Sequence, residues 1–347
     1  MIFPLKALNS TGTAMAIKKL AEDQEQAWEN FLKTNEEANF SHSLKMRKII
    51  RDNYGLIDDY LIAADNQGLI SGILPLFKIN NKKSISLPFT DSAGFIGNEA
   101  ALAEFNDYLT SQAEHHDKEY ELRQKEVKNF NKASINADNI SSIIHLDGES
   151  DELWKRIDKK ARNQVRKAER YNPKYLKQQE LLSDFYLLYL KSMKRHGTPA
   201  HKITFFAGIM EQFNGSVCAV EYNNQIATVA LTFTYKDTLY IPWAASDRKL
   251  RSFNFNDYLY WQMISESCRF GLKKIDLGRS QINSTVAKFK EQWDCRDTAL
   301  PYYLISSEKK TIKTPQKSQL RHLAKIYRLL PLRLTALIGP KLRKYLP

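Results

Sequence analysis

The stretch GLKKIDLGRSQINSTVAKFKEQW, Gly271 to Trp293, decides how the rest of the chain is read. Just ahead of it, Phe255, Leu259, Met263, Ile264 and Cys268 recur at helical spacing and form one apolar face. Gly271 follows as a C-terminal stop, since glycine takes the left-handed conformation that ends helices. LysLysIleAspLeu at 273–277 then reads as a strand.

Upstream lies a three-stranded meander, with strands near 217–222, 225–235 and 238–244 and turns at Asn223-Asn224 and Lys236-Asp237. The segment from TyrLeuIleAlaAlaAsp at 60–65 onward lies on it at a constant offset of 156 residues. Ala63 meets Ala219, Ile70 meets Ile226, Phe77 meets Phe233 and Asp91 meets Asp247, while Asp65 meets Glu221 and Ile73 meets Val229. This first copy has strands near 60–64, 69–78 and 84–88, punctuated by Asp65-Asn66-Gln67-Gly68 and Asn80-Asn81-Lys82-Lys83. Helical patterns precede both copies, at 23–33 and 41–53 and again at 182–195 and 203–213. The order of helices, meander, helix and strand is that of the GNAT acyltransferase fold. The expected class is therefore α/β (α+β): two tandem GNAT-like lobes, each a mainly antiparallel sheet flanked by helices. The expected boundaries are 1–150 for the first lobe, 151–175 for a basic linking helix, 176–305 for the second lobe and 306–347 for a basic amphipathic tail.

Composition narrows the setting. At 347 residues the chain is long enough for two cores. Cys218, Cys268 and Cys295 form no CxxC pair, which argues against a disulfide framework or zinc site and fits a reducing cytoplasm. The N-terminus does not read as a secretory signal, and no run of 18 apolar residues occurs. Net charge is +13, but residues 306–347 hold eleven Lys/Arg against one acid, Glu308. A second basic cluster spans Trp154 to Lys174.

Several chemistries are missing their motifs: there is no GxSxG, GxxxxGK[ST], HExxH or helix-opening GxGxxG. His196 and His201, five apart, do not share a helix face as paired metal ligands would, so no metal is expected. A GNAT enzyme that uses acyl-CoA normally cradles the pyrophosphate on backbone N–H groups of a glycine-rich turn. Here that turn, Ser246 to Asn256, contains no glycine, leaving Arg248, Lys249 and Arg251 to bind donor phosphates by charge or to form a merely solvated turn.

The chain resembles the Fem-type peptidoglycan aminoacyltransferases and their relatives from exopolysaccharide gene clusters, which are two-lobed GNAT proteins. The likeness covers most of the chain. In the first lobe it rests on Trp28, His42, GlyIleLeuProLeu at 72–76 and SerLeuProPheThrAspSerAlaGly at 86–94. In the second it rests on ArgHisGlyThrPro at 195–199, AspLeuGlyArgSer at 276–280 and LysPheLysGluGlnTrp at 288–293. The chain departs from the family at Asp294, where a glycine is common, and at Ala287 and Lys288, which precede the FK where an aromatic is usual. It also lacks the coiled-coil arm of the staphylococcal-type enzymes.

The resemblance implies transfer of an acyl or aminoacyl group, from aminoacyl-tRNA or acyl-CoA and without a tightly bound cofactor, to an amine of a cell-envelope precursor. That acceptor is a peptidoglycan peptide or an amino sugar of a surface polysaccharide. A catalytically silent GNAT-like protein at the membrane is the reading from another class. Lys290 and Arg279 are the candidates for charge stabilisation beside a cleft between the fourth and fifth strands, with a surface lysine and an ion pair to Asp276 as the structural alternatives. Asp91 and His196 are the candidate bases; a turn-capping carboxylate and a helix C-terminal histidine are their structural alternatives. Thr198, Trp243, Ser280, Phe289 and Trp293 are expected to shape the substrate pocket. Trp154 to Arg170 reads as one helix with Trp154, Ile157, Ala161, Val165 and Ala168 inward, so Arg162, Arg166 and Lys167 face a diphosphate, tRNA backbone or plain solvent. In the tail, Leu320, Leu323, Tyr327 and Leu330 are expected on one face and Arg321, Lys325 and Arg328 on the other. That pattern suits either an anionic inner leaflet, met through 320–347, or docking on the tail's own lobe.

Overall fold

The computed structural model describes residues 15–308 and 324–345. They form two compact units, one from residues 15–138 with 299–308 and one from 139–298 with 324–345. The division thus falls at Asp138/Asn139 and not at 150/151. The chain re-enters the first unit at Ala299, because Tyr302–Ile305 inserts as a strand there.

The first unit begins with β1 (Ala16–Lys19), α1 (Glu25–Thr34) and α2 (Leu44–Tyr54). The short β2 (Ile57–Asp58) then leads into β3 (Leu61–Ala64) and β4 (Ile70–Leu74). The turn between β3 and β4 is tied by Asp65, whose Oδ1 accepts from Gln67 N and Leu69 N. The expected single strand 69–78 is broken. Pro75, which has no N–H for a ladder, separates β4 from β5 (Leu76–Lys78), and the chain changes sheet there. After β6 (Lys83–Ser86) and β7 (Ile96–Gly97) come α3 (Glu99–His116), β8 (Glu119–Arg123) and β9 (Ala133–Asn136). The unit holds two sheets where one was expected, ordered β1-β3-β4-β7 and, with Tyr302–Ile305 between β8 and β9, β2-β5-β6-β8-(302–305)-β9. Leu61, Ala63, Leu74, Phe95, Phe105 and Tyr303 are buried together between these sheets and α3.

The second unit starts with β10 (Asn139–His145), followed by α4 (Ser150–Arg156) and α5 (Lys159–Glu169). These are two helices where one was expected: Ile157 takes extended backbone and Asp158 caps α5 by accepting from Lys160 N. They belong to the second unit and are not a linker, since Leu153, Ile157, Ala161, Val165 and Ala168 are buried in its core. Then come β11 (Lys174–Gln178), α6 (Leu182–His196) and α7 (Ile203–Gln212). The meander β12 (Ser216–Tyr222), β13 (Gln225–Tyr235) and β14 (Thr238–Ser246) follows. Next are a 3₁₀ turn (Arg248–Phe253), α8 (Phe255–Arg269) and β15 (Lys274–Gln281). The unit closes with α9 (Thr285–Glu291), β16 (Cys295–Ala299), the described part of helix α10, 324–329, and α11 (Leu332–Arg343), while Tyr302–Ile305, β17, returns to the first unit. Its sheet runs β11-β12-β13-β14-β15-β10-β16.

One register feature positions the site. β14 and β15 pair in parallel over only three residues, Thr238–Tyr240 with Lys274–Asp276. Beyond Asp276, β15 continues with β10 alone, after a register shift between Ser141 and Ile143. Gly278 there has φ +72°, a left-handed turn that a side chain would strain, and its N–H is held by Asp276 Oδ1 at 2.8 Å. β14 past Tyr240 therefore keeps an open edge.

The described tail docks on α6. Tyr327 is buried, accepting from Ala200 N and donating to Thr335 O, and Thr335, Gly339 and Pro340 are buried with it. Tyr327 thus faces inward, whereas Leu320, Arg321 and Leu323 lie outside the described residues. A Cβ on Gly339 would come within 2.7 Å of the Tyr327 hydroxyl and 2.9 Å of Ala200 N. Gly339→Val is expected to loosen the tail from α6, speeding hydrogen exchange of 324–345 while leaving β12–β14 protected; unchanged exchange in the tail would contradict this docking.

Candidate active site

The second unit carries an open cleft of about 830 Å³. Its wall is built where α5, α6, the open edge of β14, the 3₁₀ turn, the start of α8 and α9 converge. Lys160, Arg195, Arg248, Arg251 and Lys288 line it against only Asp247 and Asp257, an electropositive surface suited to an anionic ligand.

The glycine-free turn folds as a 3₁₀ helix capped by Asp247, which accepts from Lys249 N. It ends at Asn254, whose φ of +59° launches α8. The wound turn puts Arg248 and Arg251 on the cleft wall, where the chain forms a 3₁₀ helix in place of a glycine loop. The α8 N-terminus also borders the cleft through Asn254, Phe255, Asn256 and Asp257. Behind it, Thr228 Oγ1 and Ser246 Oγ lie 2.9 Å apart, and both reach Asn256 Oδ1. Gln164, on α5, lines the cleft with a buried Oε1 that has no hydrogen-bond partner.

Two groups of changed basicity face this space. Partial burial and the charges of Arg195 and Arg328 hold the His196 imidazole below its ordinary range, favouring the neutral ring at pH 7. The helix C-terminus alone would have acted the other way. Asp257 is shifted upward by burial, partly offset by the hydrogen bond its Oδ1 accepts from Gln292 Nε2.

Of the residues singled out in the sequence, His196, Phe289, Arg248 and Arg251 line the cleft. Lys249, on the same turn, is exposed but is not among the lining residues. Lys290 is buried at 4% exposure, and its Nζ donates to Gly278 O at 2.6 Å and Arg279 O at 3.2 Å, tying α9 to the bulge of β15. Arg279 is exposed on the same bulge, and Ser280 is buried. Trp293 is fully buried and stacks near Tyr260, a core anchor and not a pocket wall. Trp243 packs edge-on against Phe205, Phe206 and His201, and Thr198 donates its N–H to Met193 O as α6 ends. Arg162 is spent on the carbonyls of Trp154 and Lys155, and Arg166 lies over the Trp154 ring. Asp91 belongs to the first unit, where its carbonyl accepts from Tyr302.

Asp257, Gln164 and Lys160 were missed because no motif marks them. Arg195 and Lys288 open the ArgHisGlyThrPro and LysPheLysGluGlnTrp motifs, yet only the fold brings them to the cleft.

Residues 155–291, which include every lining position except Gln292, match the family model described as an acetyltransferase (GNAT) domain. Among solved structures, the chain is similar to FemX, with 13% identity, a TM-score of 0.64 and coverage of 83% of this chain and 96% of that one. It is similar to a tandem GNAT protein from the clavulanic acid biosynthesis pathway, at 8% identity and a TM-score of 0.55, covering 85% and 99%. A conserved protein of unknown function from Bacteroides thetaiotaomicron gives 12% identity, a TM-score of 0.56 and coverage of 83% and 98%. No curated protein matches the sequence. At these identities the structural likeness is one of fold. The chain has an α+β, GNAT-type fold, with a GNAT acetyltransferase domain match in its second unit.

Two outcomes test this geometry. Lys290→Ala strands the buried Gly278 carbonyl and the part-buried Arg279 carbonyl and is expected to cost about 1–3 kcal/mol of stability in thermal or urea denaturation. An unaltered midpoint would show that the tether contributes nothing. For Asp257, an acid that stays protonated to higher pH when folded loses relative stability as pH rises from its ordinary value near ~3.9 through its raised folded value. Asp257→Asn keeps the acceptor for Gln292, so it should raise the melting temperature at pH 7 and leave it unchanged near pH 3. A lower melting temperature at pH 7 would reverse the sign assigned here.

Proposed function

We propose that the chain is an N-acyl or aminoacyl transferase that forms an amide on an amine of a cell-envelope precursor, with its donor bound in the cleft of the second unit. The observation that carries this reading is the juxtaposition of five cationic side chains with a near-neutral imidazole, His196, along the open edge of β14. Arg248, Arg251 and the start of α8 bind the donor's phosphates. The acceptor amine attacks the donor carbonyl carbon, forming the N–C bond while the C–O or C–S bond breaks. His196 takes the amine proton and passes it to the departing oxygen or sulfur, so that the leaving group exits as an alcohol or thiol. Backbone N–H groups along Ala244–Ser246 face the developing oxyanion.

The 3₁₀ turn without glycine favours a donor gripped by side chains, as aminoacyl-tRNA would be. The α8 N-terminus at the cleft wall, together with the GNAT acetyltransferase match, supports acyl-CoA as the second reading. The test offers the protein charged tRNAs and acyl-CoAs separately, with amino-sugar and peptide acceptors, and follows amide formation by mass spectrometry. Arg248→Ala/Arg251→Ala is expected to raise the KM for whichever donor works, with a smaller effect on kcat. His196→Gln should lower kcat by about 10²–10⁴-fold. The wild-type rate should fall on acidification only below the ordinary histidine range, as the imidazole gains its proton. Absence of transfer from every donor would overturn the enzyme reading, and full activity of His196→Gln would remove the base.

A further inference from the structure

The tail spends one side on its own unit and leaves the other without a partner among the described residues. Tyr327, Thr335, Gly339 and Pro340 face α6, whereas Leu329 (84% exposed), Leu337 (66%), Ile326 (59%) and Tyr345 (70%) point outward with Leu334. Isolated exposed leucines are ordinary on protein surfaces; several within the short segment 324–345 are not. Residues 324–345 also carry six Lys/Arg and no acid; Lys325, Arg328, Arg333 and Lys341 are exposed, while Arg343 lies near buried Tyr189 and His201. A second copy of this face would bring its own exposed cations and nothing to neutralise them. A surface with apolar depth below a negatively charged layer satisfies both features at once, the side chains of Leu329 and Leu337 entering the acyl boundary while the basic side chains reach phosphates.

We propose that α10 and α11 form a docking face for an anionic lipid bilayer. The face is mechanically joined to the cleft. Arg328 donates to the carbonyl of His196, and α10 seats on Gly197, where a Cβ would lie 2.7 Å from Ala324 Cβ and 2.8 Å from Ala324 O. α6 packs on β13 and β14 and carries α11 on the same unit. The bilayer then lies one helix away from the cleft wall, within reach of a substrate held in the lipid. This inference does not depend on which reaction the cleft performs.

The test is vesicle flotation of the full chain with phosphatidylcholine alone or mixed with phosphatidylglycerol. Binding to the anionic vesicles should be at least about ten-fold stronger and should weaken at high salt. Leu329→Glu/Leu337→Glu, both at exposed positions, should reduce that binding at least about ten-fold with the melting temperature unchanged. Equal binding of the wild type to both vesicles, or undiminished binding of the variant, would overturn the proposal. A wild-type dimer that the variant dissociates, without vesicle binding by either, would assign the face to a second copy instead.

Discussion

The bulge at Gly278 is the constraint on which the second unit depends. Asp276 closes it by accepting the Gly278 N–H, and the buried Lys290 ammonium holds the Gly278 and Arg279 carbonyls from α9. β15 can therefore pair with β14 for three residues and must then follow β10. Two parallel strands that separate leave backbone groups of β14 unpaired, and an unpaired edge inside a sheet is tolerated only where solvent or a ligand reaches it. The opening bordered by α5, α6, α8 and α9 follows from that separation. Lys290 helps to build it from behind and does not line it.

The electrostatics of the cleft are then a matter of which side chains line it. Five cations meet two acids, one of which, Asp247, is occupied in capping the 3₁₀ turn. The same positive field and partial desolvation that suit an anionic ligand also lower the basicity of His196, leaving its ring neutral and able to accept a proton. Asp257 is held in a poorly solvated site at the start of α8, where its charged form is disfavoured. Burial therefore disfavours a charge at both positions.

Much of the fold was legible because the local signals agree. The strands at 217–222, 225–235 and 238–244 match β12, β13 and β14 to within two residues, since alternation and asparagine turns point the same way. The first copy was less faithful, because a single proline, Pro75, moves the chain between sheets in a pattern that still reads as one strand. The long basic helix was misread as continuous because Asp158 as a cap differs little, in sequence, from an exposed acid in the middle of a helix. For the site, the motif around Arg279, Lys290 and Trp293 marked a place of structural importance, but motif membership cannot distinguish a residue that lines a cleft from one that braces it.

By itself the sequence determined the periodicities, the glycine stop at Gly271, the absence of glycine from Ser246 to Asn256 and the concentration of positive charge toward the C-terminus. These are local or additive properties and need no knowledge of distant contacts. Only the tertiary structure decided that β15 leaves β14 after Asp276, that Lys160, Arg195 and Lys288 converge with Arg248 and Arg251, and that Tyr327 turns inward while Leu329 and Leu337 turn outward. Each of those outcomes depends on which surfaces pack together. Side-chain direction relative to a cleft is set by long-range packing that no short window of sequence contains.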